Sequence, residues 1–342
     1  MTSPEELATL YFYQWEARGR GHIIYTDSID LVPPYAPYKF KADYSTFIDD
    51  GKVPSLLKQF TQMLKGKTPS EDPQPHFEDI KLSPINFDHK RIAFKITFSR
   101  KENIPASRFQ QLLELLCHSI RAYSFEILAQ YGTIIIQFTA YHEDSSRLEA
   151  QLRAFFPTSI LIKSDPFDID FDINKPVAIA DFGLDDEFMI PIQTIDHVTS
   201  DPLTSIFGTL DLVSESETAI IQIIFQGTTT PWTRDILSAT SDGEGGSFFN
   251  DLPDLPRYAR EKTLTPLFGA IVRVGTQGKN TERSEYLAQE LAQSITSISN
   301  SAKNRLIPLS NEGYSYDDHL RNIFYRTTNR LGCILNSKEL AL

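Results

Sequence analysis

From Lys90 onward apolar and polar residues alternate: Ile92, Phe94, Ile96 and Phe98 interleave with Arg91, Ala93, Lys95 and Thr97. A period of two predicts a half-buried strand. Pro105 suits the first turn of a helix, and Phe109, Leu112, Leu113, Leu116 and Ile120 recur at spacings of three and four, which gathers them on one helical face. Two β-rich runs follow at 124–128 and 133–141, with Gly132 between them as a hairpin connection. Leu148, Leu152, Phe155 and Phe156 share a face of a second helix, Pro157 stops it, and 160–162 supply a last short strand. The order is βαββαβ, the split βαβ or ferredoxin-like arrangement, in which two helices cover one face of a four-stranded antiparallel sheet.

A similar order recurs downstream. The pattern predicts a strand at 177–182, a helix at 202–212, a strand at 219–225 and a helix starting near Pro231. After SDGEGG and a proline-containing stretch come a strand at 267–274, a helix at 282–298 with Leu287, Leu291, Ile295 and Ile298 aligned, and a strand at 305–309. No residue-level repeat links the halves, so the duplication rests on element order. Residues 1–40 are rich in aromatics and proline and end in DLVPPYAPY, where Pro33 and Pro34 hold the backbone extended. GKTPSEDPQPH at 66–76 has no apolar period to bury and reads as a linker. The expected fold class is α+β: an extended arm and linker over 1–75, a ferredoxin-like unit over 76–165, and a second, elaborated one over 166–342.

Composition narrows the function classes. A length of 342 residues sets a prior of about two domains. Cys117 and Cys333 are far apart and in no CxxC pair, which favours neither a disulfide framework nor a zinc site and fits a reducing compartment. MTSPEELATL lacks the basic and apolar regions of a signal peptide, and no run of 18 apolar residues occurs. With 33 Lys+Arg against 45 Asp+Glu, the net charge of −12 disfavours strong nonspecific DNA binding.

The candidate sites are weak. Gly66-Lys67-Thr68 ends like a P-loop, but Thr61 stands where the first glycine is required. Gly275-Thr276-Gln277-Gly278-Lys279-Asn280 has two residues between its glycines instead of four, and no hydroxyl residue after Lys279 to hold magnesium. Asp168, Asp170 and Asp172 resemble the start of a calcium loop, yet Ile173 replaces the turn glycine and Ile179 the bidentate glutamate, so a solvent-facing strand edge is expected. Asp317 and Asp318 adjoin His319 without a nucleophile motif, and the histidines lack the i, i+4 pairing of a helical metal site. Tyr13, Trp15, Arg18 and Arg20 combine rings and positive charge and form a candidate partner or nucleic-acid contact. No catalytic residue, cofactor or metal is expected.

Several segments resemble the N-terminal regions of type IV secretion or conjugative DNA-transfer ATPases of the HerA/FtsK superfamily: YQWEARGRGHIIYTDSIDLVPPYAPY, DFGLDDEFMIPI, PWTRDILSATSDGEGGSFFNDLP, PLFGAIVRVGTQ, NRLIPLSNEGY and LGCILNSKELAL. In that family the last of these leads towards the P-loop ATPase domain, so no Walker residue has a counterpart here. The resemblance implies a non-catalytic assembly or docking region, self-association in a ring (a hexamer) in the parent protein, contact with secretion or DNA-transfer machinery, DNA contact through the parent ATPase, and a cytoplasmic location that extends to the inner face of the membrane. The competing expectation is a nucleic-acid-binding adaptor that uses ferredoxin-like sheets as platforms, which needs exposed aromatics beside Lys or Arg on a sheet face. A small-molecule enzyme would need a pocket with convergent polar groups.

Overall fold

A computed structural model describes residues 90–98, 104–119, 121–164, 166, 169–172, 175–197, 203–228, 232–243, 246–247, 249 and 251–342. The arm and linker at 1–75, with Tyr13, Trp15, Arg18, Arg20 and the Gly66 motif, lie outside the described residues, as do Asp168 and Ile173. In chain order the elements are β1 (Arg91–Thr97), α1 (Ala106–Leu116), β2 (Tyr123–Gln130), β3 (Thr133–Tyr141), α2 (His142–Phe155), β4 (Ile160–Ser164) and β5 (Ala178–Leu184). There follow α3 (Leu203–Leu210), β6 (Thr218–Gly227), α4 (Trp232–Thr240), α5 (Leu255–Lys262), β7 (Leu267–Gln277) and α6 (Thr281–Ser299). The chain closes with β8 (Leu306–Pro308), α7 (Tyr316–Tyr325), β9 (Cys333–Asn336) and α8 (Ser337–Leu340).

The nine strands form one mixed-connection antiparallel sheet, ordered β4-β1-β3-β2-β6-β7-β5-β8, with β9 pairing the first residues of β7. The segment β1–α1–β2–β3–α2–β4 takes the order β4-β1-β3-β2, and β5–α3–β6–β7–α6–β8 takes the order β8-β5-β7-β6, which is the same permutation. The extra helices α4 and α5 lie between β6 and β7. Between the two halves, β2 pairs β6 from Tyr123↔Phe225 to Ala129↔Ala219, so the sheet runs unbroken across the seam.

Local chemistry explains the joints. Tyr131 and Gly132 both have positive φ, 54° and 67°, which is the two-residue primed turn that matches strand twist in a hairpin. Asn280 caps α6 by accepting a hydrogen bond from the Arg283 amide at 2.9 Å. At Gly227 a Cβ would lie 1.8 Å from the Cys117 carbonyl oxygen, so the end of α1 abuts β6 only because the residue is glycine.

One sheet face is apolar. Phe94, Phe138, Ile127, Ile221, Phe225, Val272 and Val274 bury there with Leu112, Leu113 and Leu116 of α1, Leu148 and Leu152 of α2, and Leu291 and Ile295 of α6. Each such side chain contributes about 1.5–3 kcal/mol on leaving water, and a single cluster draws them from both halves. The other face departs from the half-buried expectation for β1, because Arg91 and Ala93 are buried too. The described residues 169–172 of DIDFDIN also depart from the expected strand: Asp170, Phe171 and Asp172 follow an irregular path, held where the Gln277 side chain accepts from the Asp172 amide (2.7 Å) and donates to the carbonyls of Asp172 and Lys175.

Candidate functional site

The polar positions of the central strands align into one row across the seam. The pairings Gln137↔Glu126, Glu126↔Gln222, Gln222↔Arg273 and Arg273↔Asp181 place five polar side chains of β3, β2, β6, β7 and β5 side by side on the face opposite the apolar core. All five are buried. Helix α7 and the residues after it cover them. Ile323 of α7 packs where Gly275 leaves space (a Cβ there would meet its Cδ1 at 2.9 Å), beside Leu128, Ile169, Val177, Ile179 and Ile220.

Two carboxylates anchor this covering segment, one in each half. Glu126 accepts from Arg326 through Nε (2.8 Å) and Nη2 (2.9 Å), and from Gln137 (2.7 Å), Gln222 (2.9 Å) and the Ser124 hydroxyl (2.7 Å). Burial pushes its carboxyl up, but the Arg326 guanidinium and these donors outweigh burial and hold it below the usual range. Arg326 caps α7 in the left-handed conformation, φ 55°, and its carbonyl accepts from Arg91 at 3.3 Å. Asp181 accepts from Arg273 Nε at 2.9 Å, while His319 Nε2 and Arg330 Nε approach its other oxygen at 2.9 and 3.3 Å. Here too burial raises the carboxyl, and Arg273, His319 and Arg330 bring it down to about 2. The His319 ring meets the Tyr314 ring edge-on, and the Arg330 guanidinium lies over it at 4.3 Å from the ring centre.

A third buried charge pair closes the far end. Lys262 Nζ lies 2.8 Å from Glu339, whose carboxylate also accepts the amides of Ile192 and Asn336 in the capping box of α8. Burial pushes Glu339 up against the pull of Lys262. Breaking a pair this deep costs about 3–5 kcal/mol, so α8 is integral to the fold.

Three of the sequence candidates lie among the described residues in full or in part. His319 is partnered by Asp181 of another element and not by its neighbours Asp317 and Asp318, of which Asp318 pairs with Arg321. Gly278 links β7 to α6, and its amide donates to the Ser284 hydroxyl at 2.8 Å. In the SDGEGG segment Asp242 accepts from the Gly246 amide at 2.8 Å, and Ser241 bridges to Ser247. Among the described residues no three His, Cys, Asp or Glu side chains are grouped to hold a metal, and no helix is long and apolar enough to cross a membrane. The row itself escaped the sequence reading, because polar residues alternating along strands look solvated. The available signal was its cargo of opposite charges at matching strand positions.

A satellite core gathers residues that are remote in sequence: Phe188, Met189 and Ile190, Trp232, Ile236 and Ala239, Phe249, Leu267, and Ile334. These come from DFGLDDEFMIPI, PWTRDILSATSDGEGGSFFNDLP, PLFGAIVRVGTQ and LGCILNSKELAL, four of the segments quoted above.

A family model described as a domain of unknown function, DUF8128, matches residues 118–306, more than half of the chain. That span runs from the end of α1 to the start of β8 and leaves out α7. No curated protein matches the sequence. Among solved structures, xylooligosaccharide oxidase from Myceliophthora thermophila C1 in complex with xylobiose is similar over 74% of this chain at 12% identity and a TM-score of 0.32. This chain covers 54% of that one, and at such a score neither fold nor chemistry transfers.

Proposed function

The chain belongs to the DUF8128 family of domains of unknown function, and from that premise we propose that it is the non-catalytic assembly and docking region of a type IV secretion or conjugation-type DNA-translocating ATPase. It consists of two ferredoxin-like units joined edge to edge, and in the parent protein it helps shape a ring of subunits beside the motor. The observation that carries this reading is the satellite core. Segments on which the resemblance rests, scattered from Phe188 to Ile334, pack against one another. Such a meeting is expected of a shared structural unit and not of unrelated short matches.

Two further features support it. The repeated strand permutation fits tandem split-βαβ units. The buried charged groups Glu126, Arg273, Asp181, Arg326, Lys262 and Glu339 are engaged in pairs that join strands and helices, which suits a scaffold. The sheet face that a nucleic-acid platform would present is covered at its centre by α7, so this geometry favours assembly over base stacking.

Two measurements test the proposal. Translation of the natural reading frame beyond the Leu342 codon is expected to reveal a strand followed by G-x-x-x-x-G-K-[ST], and native mass spectrometry of the resulting full chain to show a closed ring. A frame that lacks the motif, or rapid ATP hydrolysis by the present chain alone, overturns it.

A further inference from the structure

Helix α7 runs across the strands instead of along them. At its start the Tyr316 hydroxyl accepts from the Val177 amide at 2.8 Å, and His319 meets Asp181 of β5. In its last turns the Ile323 carbonyl accepts from Gln222 of β6, and just beyond it Arg326 reaches Glu126 of β2. The chain then doubles back, so that the Thr327 carbonyl accepts from Arg273 and Arg330 returns to Asp181. Residues 314–332 therefore cross the β2/β6 seam twice and hold one carboxylate of each half.

The two anchors differ in quality. Both Glu126 oxygens are saturated by five directed hydrogen bonds, two of them from one guanidinium. At the Asp181 anchor four buried polar atoms have no properly directed hydrogen bond among the described residues: Asp181 Oδ2, Arg273 Nη2, His319 Nε2 and Arg330 Nε. His319 Nε2 and Arg330 Nε lie 2.9 and 3.3 Å from Asp181 Oδ2 without a directed hydrogen bond. Undirected contact is the weaker attachment, because a buried group without a directed bond forfeits solvation that such a bond would restore.

We propose that residues 314–332 form a conformational strap across the two halves, fixed at Glu126 and releasable at Asp181. Release lifts the start of α7 from Val177, Ile179 and Asp181 while Arg326 stays seated, and it uncovers the Arg273 end of the polar row. Local opening of this kind is drawn from the least well-bonded parts of a fold. The inference rests on hydrogen-bond geometry and is independent of the motor reading.

Amide hydrogen exchange on the whole chain, read by mass spectrometry, tests it. Asp181→Asn is expected to speed exchange in 316–325 by about tenfold or more while β2 and β3 stay within about twofold of the parent. Arg330→Gln alters the strap side at a partly exposed residue, keeps the sheet side chains intact, and is expected to give the same local pattern; it serves if Asp181→Asn folds poorly. Glu126→Gln is expected to speed exchange across the sheet as a whole. The proposal is overturned if Arg330→Gln leaves 316–325 unchanged, if it loosens β2 and β3 equally, or if Glu126→Gln frees α7 alone.

Discussion

Arg326 illustrates how much one side chain is asked to do. It is fully buried, it adopts a backbone conformation that few non-glycine residues take, and its guanidinium meets Glu126 with two parallel bonds. Glu126→Gln should therefore destabilise the chain by about 3–5 kcal/mol, because an arginine is left in the interior without its countercharge. Glu126→Leu combined with Arg326→Met should be less harmful than either substitution alone, since neither charge is then stranded; a double-mutant cycle in urea measures the difference, and strictly additive losses would refute this account. Asp181 supplies a pH signature. Its carboxyl falls from 3.8 to about 2 on folding, so its contribution is fully present above about pH 4 and is lost as the pH drops through 2. The stability gap between parent and Asp181→Asn should shrink as the pH falls from about 4 through 2, as followed by urea midpoints at each pH.

At the level of elements, close approaches decide what can be changed. Gly227→Ala would drive a methyl into the Cys117 carbonyl, a backbone group that cannot rotate away, so α1 and β6 must part. Its expected cost is about 1–3 kcal/mol or more, read as a lower thermal midpoint, whereas Gly208→Ala, with open space at its Cβ, should stabilise α3 slightly or leave it unchanged. The strands β1 to β8 and the helices α1 to α4 and α6 were readable in the sequence, because Ile92, Phe94 and Ile96 or Leu287, Leu291 and Ile295 announce their period regardless of what lies opposite, whereas α5, α7, β9 and α8 were not read. What covers the second face was not readable. Gln137, Glu126, Gln222, Arg273 and Asp181 occupy positions that alternation assigns to water, and only a helix that begins 179 residues after Gln137 and 43 after Arg273 turns them inward. Periodicity reports which side chains share a face; the partner that buries that face is a long-range fact. Likewise chain order sets His319 beside Asp317 and Asp318, while its carboxylate partner is Asp181 of β5, far upstream.

For the whole molecule, the question is whether two units of matching strand order behave as two or as one. A chain of this length could fold as a pair of independent domains with a loose interface. Three features argue otherwise: the β2/β6 pairing continues the hydrogen-bond ladder across the seam, one apolar cluster includes Phe94 and Leu148 on one side and Val272 and Leu291 on the other, and residues 314–332 bind a carboxylate in each half. Unfolding one half would bare the β6 or β2 edge and half of that shared core, so the halves should lose structure together. Leu148→Ala in α2 and Leu291→Ala in α6 each remove a fully buried side chain and should cost about 2–5 kcal/mol. Followed by hydrogen exchange in increasing urea, either substitution is expected to lower the opening midpoint of β3 and of β7 alike. A Leu148→Ala chain in which β3 opens early while β7 keeps its parental midpoint would mean that the seam does not couple the halves, and the single sheet would then have to be regarded as two units in contact.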